Sequence, residues 1–166
     1  MGRPDRRVRV SLARRCTQRD ESPGCAVVDF STDRLSDLAE SIGITITSLS
    51  DGNCTVECSV DERHVNLAGV AHGGLHATML DTAMSGALVS ELSEGEWCAT
   101  AQLDVSFLNA AYPGVHLVAA GRMVRRGSGI AHLEGEITAE DGTLVASAKG
   151  VWAVWASRPA SQGGTD

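Results

Sequence analysis

The chain has 166 residues, 43% apolar and 21% charged, with a formal net charge of -7. That length supplies one hydrophobic core and is short for two domains, no run reaches the roughly 18 to 20 apolar residues of a membrane span, and the start lacks the apolar stretch of a secretory signal; a single cytoplasmic domain with no membrane partner is expected. Five cysteines, at 16, 25, 54, 58 and 98, are odd in number and form no CxxC pair, which argues against a disulfide framework or a zinc site.

The charge is unevenly spread. Residues 1–19 hold seven arginines and one acid, a balance of +6, whereas the remainder carries seven basic and twenty acidic groups, a balance of -13. An Arg-rich, acid-poor start fits a transit peptide or a nucleic-acid arm as well as a tail without a fold. Residues 1–32 are set apart as an Arg-rich disordered tail, 33–156 as the folded domain and 157–166 as a second disordered tail, and no nucleic-acid partner is expected.

Regular patterning begins near residue 33. "STDRLSDLAESIG" has Ser/Thr caps, apolar Leu35, Leu38 and Ala39, and a closing Gly43, which predicts a short amphipathic helix. "ITITSLS" and "CTVECSV" alternate around "DGN" and predict a β-hairpin, with Cys54 and Cys58 facing inward beside Val56 and Val60. A loop through Asn66 leads into "HGGLHATMLDTAMSGALVSEL", a helix from about 72 to 92. Between 74 and 90 its only charged residue is Asp81, and Leu75, Met79, Leu80, Ala83, Met84 and Ala87 cover most of its circumference, so this helix is buried, with Gly86 allowing close approach. The remaining stripe is Thr78, Asp81, Thr82 and Ser85.

Four strand-like runs follow, 97–109, 115–125, 130–139 and 143–156. The links "AAYPG", "RGSG" and "EDG" are too short for parallel crossovers, which predicts an antiparallel meander. The expected fold is α+β: an antiparallel sheet of about six strands wrapped around one long central helix.

The order of Asn66, "HGG" at 72–74 and Asp81, within that succession of elements, resembles the hotdog-fold acyl-CoA thioesterases, and among them the phenylacetic-acid-degradation type and its mammalian relatives. The likeness extends over about residues 35–155. Related families that act on hydroxybenzoyl-CoA or dihydroxynaphthoyl-CoA often carry Glu where Asp81 stands, and the "GDxNPxH" pattern of the hydratase branch is absent.

The chemistry follows from the residues as well. Thioester hydrolysis needs a donor for the charge that gathers on the carbonyl oxygen, and a base or nucleophile across the carbon. A helix N-terminus supplies free N–H groups and a positive dipole end, and glycines there admit the substrate to the backbone. Gly73 N–H is the expected oxyanion donor, with Gly74 beside it against the substrate, and Asp81 is the base or nucleophile. Eight residues of helix span about 12 Å, too far for both groups to serve one carbonyl from one chain. Two such helices antiparallel about a two-fold axis would bring them together. The resemblance implies the same thing, a homodimer with interfacial sites that often pairs into a homotetramer.

Further roles are implied by the resemblance. Asn66 would help hold the thioester carbonyl, Thr100 would orient the attacking water, and His72 would steady the leaving thiolate or position the loop. Gly150 stands where some relatives place a second histidine. His76, on the apolar side of the helix, is expected to be a satisfied packing residue. Arg125 and Arg126, with Arg122 nearby, are candidates for the coenzyme A phosphates. The expected activity is hydrolysis of acyl-CoA to free acid and coenzyme A without a cofactor. The alternative is a non-catalytic acyl-CoA-sensing module, nucleic-acid-associated through its basic tail, whose mark would be loss of the helix carboxylate.

Overall fold

The structure, a computed structural model, describes residues 35–159, so the tail at 1–32 and all but the first residues of the tail at 157–166 lie outside the described residues. Helix α1 (Asp37–Ser41) starts where the Ser36 hydroxyl accepts from Ala39 N–H and ends ahead of Gly43, whose φ of +73° reverses the chain. Strands β1 (Thr45–Ser50) and β2 (Asn53–Ser59) form the expected hairpin. Its two turn residues, Asp51 and Gly52, both have positive φ, the combination whose twist matches the flanking strands.

Helix α2 (Gly73–Val89) is followed by β3 (Trp97–Phe107), β4 (His116–Arg126), β5 (Ile130–Ala139) and β6 (Leu144–Trp155). The six strands form one sheet in the order β1-β2-β4-β5-β6-β3, and every neighbouring pair is antiparallel. The expected meander holds for β4, β5 and β6 only. β3 does not pair with β4; it lies on the far edge against β6, and β2 takes the place beside β4. The link after Phe107 is short but crosses a sheet curled around α2, and curvature lets a short link join strands that are not neighbours. As it crosses, it passes the start of α2, where the Ala111 carbonyl accepts from Ala71 N–H.

α2 is buried as its composition predicts, with Met79, Leu80, Ala83, Met84, Ala87 and Leu88 fully enclosed. It lies unusually close to the sheet. A Cβ on Gly121 of β4 would stand 2.5 Å from the Ala83 carbonyl oxygen and 2.6 Å from Met84 N, so helix backbone meets strand backbone with no side chain between. Gly86 makes the same allowance on the helix, where a Cβ would fall 2.6 Å from Cys54 Sγ. Cys54 and Cys58 are buried free thiols, and burial pushes the Cys54 thiol up to about 11. Among the described residues no helix is long and apolar enough to cross a membrane.

Gly121→Ala is expected to destabilise the protein by at least about 2 kcal/mol, because neither backbone can yield to the added carbon. Gly129→Ala, where a Cβ would meet nothing within 4 Å, is expected to stay within about 0.5 kcal/mol. Urea denaturation of the two variants beside the parent chain measures the contrast.

Candidate active site

The mouth of α2 is built by a tight loop. Asn66 N–H donates to the Val70 carbonyl at 2.8 Å, Gly69 N–H donates to the Asn66 carbonyl at 2.9 Å, and Asn66 Oδ1 accepts from Ala68 N–H at 2.8 Å. The side-chain oxygen of Asn66 thus closes the loop, and its Nδ2 is the end left for another acceptor. His72 then caps the helix: Nδ1 accepts from Gly74 N–H at 2.8 Å, and its carbonyl accepts from Leu75 N–H at 2.9 Å. His72 Nδ1 is thereby engaged at the start of the helix.

These bonds use the amides of Gly74 and Leu75 and leave Gly73 N–H without an acceptor among the described residues. The first turn contains no acidic residue to offset its dipole. Both glycines are close-fitting: a Cβ on Gly74 would lie 3.0 Å from His72 Nδ1, and one on Gly73 would lie 3.2 Å from the Phe107 ring.

Asp81 lies two turns along the helix, half-buried, and its Oδ1 accepts from Thr100 Oγ1 at 2.7 Å. This brings together two residues nineteen positions apart, one on α2 and one on the exposed edge strand β3. The other hydroxyls of the polar stripe are also engaged. Thr78 and Thr82 donate to the carbonyls of Gly74 and Thr78, and Ser85 accepts from Trp152 Nε1 at 2.9 Å. Trp152 also fills the space over Gly150, where a Cβ would lie 2.5 Å from its ring and 2.7 Å from the Gln102 carbonyl oxygen. A histidine has no room there.

A cleft of about 400 Å³ opens beside the helix mouth, walled by Asn66, Gly73, His76, Phe107 and Asn109. Asp81 is not in this wall, in keeping with its distance along the helix. Phe107, the last residue of β3, and Asn109, in the link that follows, are not singled out by the sequence because the fold alone brings them to the helix mouth. His76 departs from expectation. It is buried, at 4% exposure, but neither ring nitrogen has a hydrogen-bond partner among the described residues, so it is not the satisfied packing residue the sequence implies. Burial, and secondarily the charge of His72, push its pKa below the ordinary histidine value.

The arginines separate. Arg126 pairs with Glu96 and donates to the Glu91 carbonyl, tying β4 to the segment after α2 and holding the Glu96 carboxyl below its usual range. Arg122 pairs with Glu134 across β4 and β5. Arg125 is exposed with no partner among the described residues. No group of His, Cys, Asp and Glu there could hold a metal ion.

Against known proteins, residues 68–146 match the model of the thioesterase superfamily. A protein of Archaeoglobus fulgidus that carries an esterase name is 31% identical over 121 residues, 73% of this chain and 75% of its own. Human acyl-coenzyme A thioesterase 13 is 27% identical over 107 residues, 64% of this chain and 76% of its own. Among solved structures, the Escherichia coli PaaI protein from the phenylacetic acid degradation operon superposes with a TM-score of 0.66 at 25% identity, covering 70% of this chain and 82% of that one. The chain belongs to the thioesterase superfamily and has the hotdog fold, with PaaI-type proteins among its structural neighbours.

His72→Ala is expected to cost about 1 kcal/mol by leaving Gly74 N–H uncapped. A thermal melt, checked against the β4–β5 variant Arg122→Ala as an exposed control, reads the loss.

Proposed function

We propose that the protein hydrolyses acyl-CoA thioesters at a site completed by a second copy of the chain. The observation that carries this is the Asp81–Thr100 contact at the free edge of the sheet. Thr100 sits on β3, an 11-residue strand hydrogen-bonded on one side only and exposed along much of its length, which is the kind of edge a second strand completes. A copy added across that edge by a two-fold axis would carry its helix mouth toward Asp81.

In this reading the thioester carbonyl accepts from Gly73 N–H of one chain, with Asn66 Nδ2 beside it. Negative charge forming on that oxygen meets the uncompensated positive end of α2. Asp81 of the partner subunit takes a proton from the water that attacks the carbonyl carbon, or attacks that carbon itself to form an anhydride that water then hydrolyses, while Thr100 holds the carboxylate and orients the nucleophile. The carbon–sulfur bond breaks and coenzyme A leaves as the thiolate, which takes up the proton from water, while its phosphates would meet Arg125, unpaired among the described residues. The relatives bearing thioesterase names support the reaction class, and the acyl-CoA name of the human relative supports the thiol carrier. Pairing of two dimers would give the tetramer.

Asp81→Ala should lower kcat on the order of 10² to 10⁴-fold. Gly73→Pro removes the N–H while suiting the first helical position, since His72 already has the extended conformation that precedes proline, and should also be inactive. Mixing the two dead variants through denaturation and renaturation should restore about a quarter of parental activity, because half the dimers are mixed and each holds one intact site. Activity that never returns on mixing, from correctly folded material, rejects the shared site; a parent chain that turns over no acyl-CoA rejects the reaction.

A further inference from the structure

The buried imidazole of His76 has no role in the chemistry just described, yet it lines the same cleft as Gly73 and Asn66. A polar group enclosed to 4% exposure with both ring nitrogens unpartnered among the described residues forfeits the hydrogen bonds it makes in water, and native cores seldom tolerate that without a reason. The residue forms part of the cleft's wall. It lies 6.0 Å, centroid to centroid, from Phe107, the same ring that touches the space above Gly73.

His76 is three residues beyond Gly73, about 4.5 Å along the axis, and helical side chains lean toward the N-terminus, so the imidazole leans back toward the open amide. A carbonyl oxygen held at Gly73 N–H therefore brings the first carbons of the acyl chain over this ring. The far end of a long chain or the distal edge of an aryl group lies beyond its reach. A neutral imidazole offers one donor and one acceptor, and the group that satisfies it in this position is an oxygen close to the thioester.

Resting on the thioesterase reading above, we propose that His76 is a substrate-recognition residue that hydrogen-bonds an oxygen on the β-carbon of the acyl group, so that the protein favours 3-hydroxyacyl or 3-oxoacyl thioesters over their saturated counterparts. Such substrates come from reactions that hydrate an enoyl thioester or condense two acyl units.

The test pairs 3-hydroxybutanoyl-CoA with butanoyl-CoA on the full chain and on His76→Leu and His76→Gln. The parent is expected to favour the hydroxylated substrate in kcat/KM by about fivefold to tenfold, the worth of one neutral hydrogen bond. His76→Leu should reverse the ratio by turning the cleft apolar, and His76→Gln, which keeps a donor and an acceptor, should restore its sign. Kd values for the matching non-hydrolysable ketone thioethers of coenzyme A, in which a methylene between sulfur and carbonyl keeps the carbonyl oxygen for Gly73 N–H, are measured alongside. A ratio of one or less in the parent, or a preference that survives in His76→Leu, overturns the proposal. If neither thioester is hydrolysed, the thioether Kd ratio alone judges His76, and the thioesterase reading falls only with a parent chain that turns over no acyl-CoA; equal affinity, or no binding, overturns the His76 proposal.

Discussion

The backbone contact between α2 and β4 at Gly121 sets the position of everything else. A helix normally rides on a sheet at a spacing set by side chains from both surfaces. Here the strand has no side chain at the crossing, and Gly86 removes another from the helix, so α2 sinks into the curl of the sheet. Fixed at its middle, the helix has little freedom at its ends. Its mouth emerges where the link after Phe107 passes, and Asp81 reaches the edge strand. The cleft and the carboxylate are thus two results of one packing decision.

The same region keeps polar groups unpaired that an ordinary core would pair. The helix begins with no acidic residue, Gly73 N–H is open, and the His76 ring is enclosed without partners. Each unmet hydrogen bond costs about 1 to 3 kcal/mol when buried. These losses are gathered around one cleft, while the buried cluster beyond it is apolar. Such concentration is what a binding site does to a fold: local consistency is given up where a ligand is to restore it.

Much of the fold was legible in the letters because its determinants are local. The "DGN" turn, the alternation of Cys54, Val56, Cys58 and Val60, and the nearly uncharged run from 74 to 90 each announce a structure through neighbours in the chain. The pairing of Asp81 with Thr100 was readable only through family resemblance, since nothing local links a helix carboxylate to a threonine on a later strand. What escaped depends on tertiary geometry. The place of β3 follows from curvature, which short links do not report. Gly121 and Gly150 look like any strand glycines until their neighbours are seen. His76 was rightly placed on the buried side of the helix, but whether a buried ring finds partners depends on what surrounds it.

Phe107 belongs to two structures at once. It is the last residue of the open edge strand, and its ring is the surface against which Gly73 and His76 are set. An edge strand is paired on one side only, so in a lone subunit the wall of the cleft hangs from backbone held by β6 alone, through Ala146 opposite Phe107 and the Val145 carbonyl beyond it. Anything that zips along β3 and stills its terminus also sharpens the shape of the cleft. Edge order and pocket shape are in this protein a single mechanical variable.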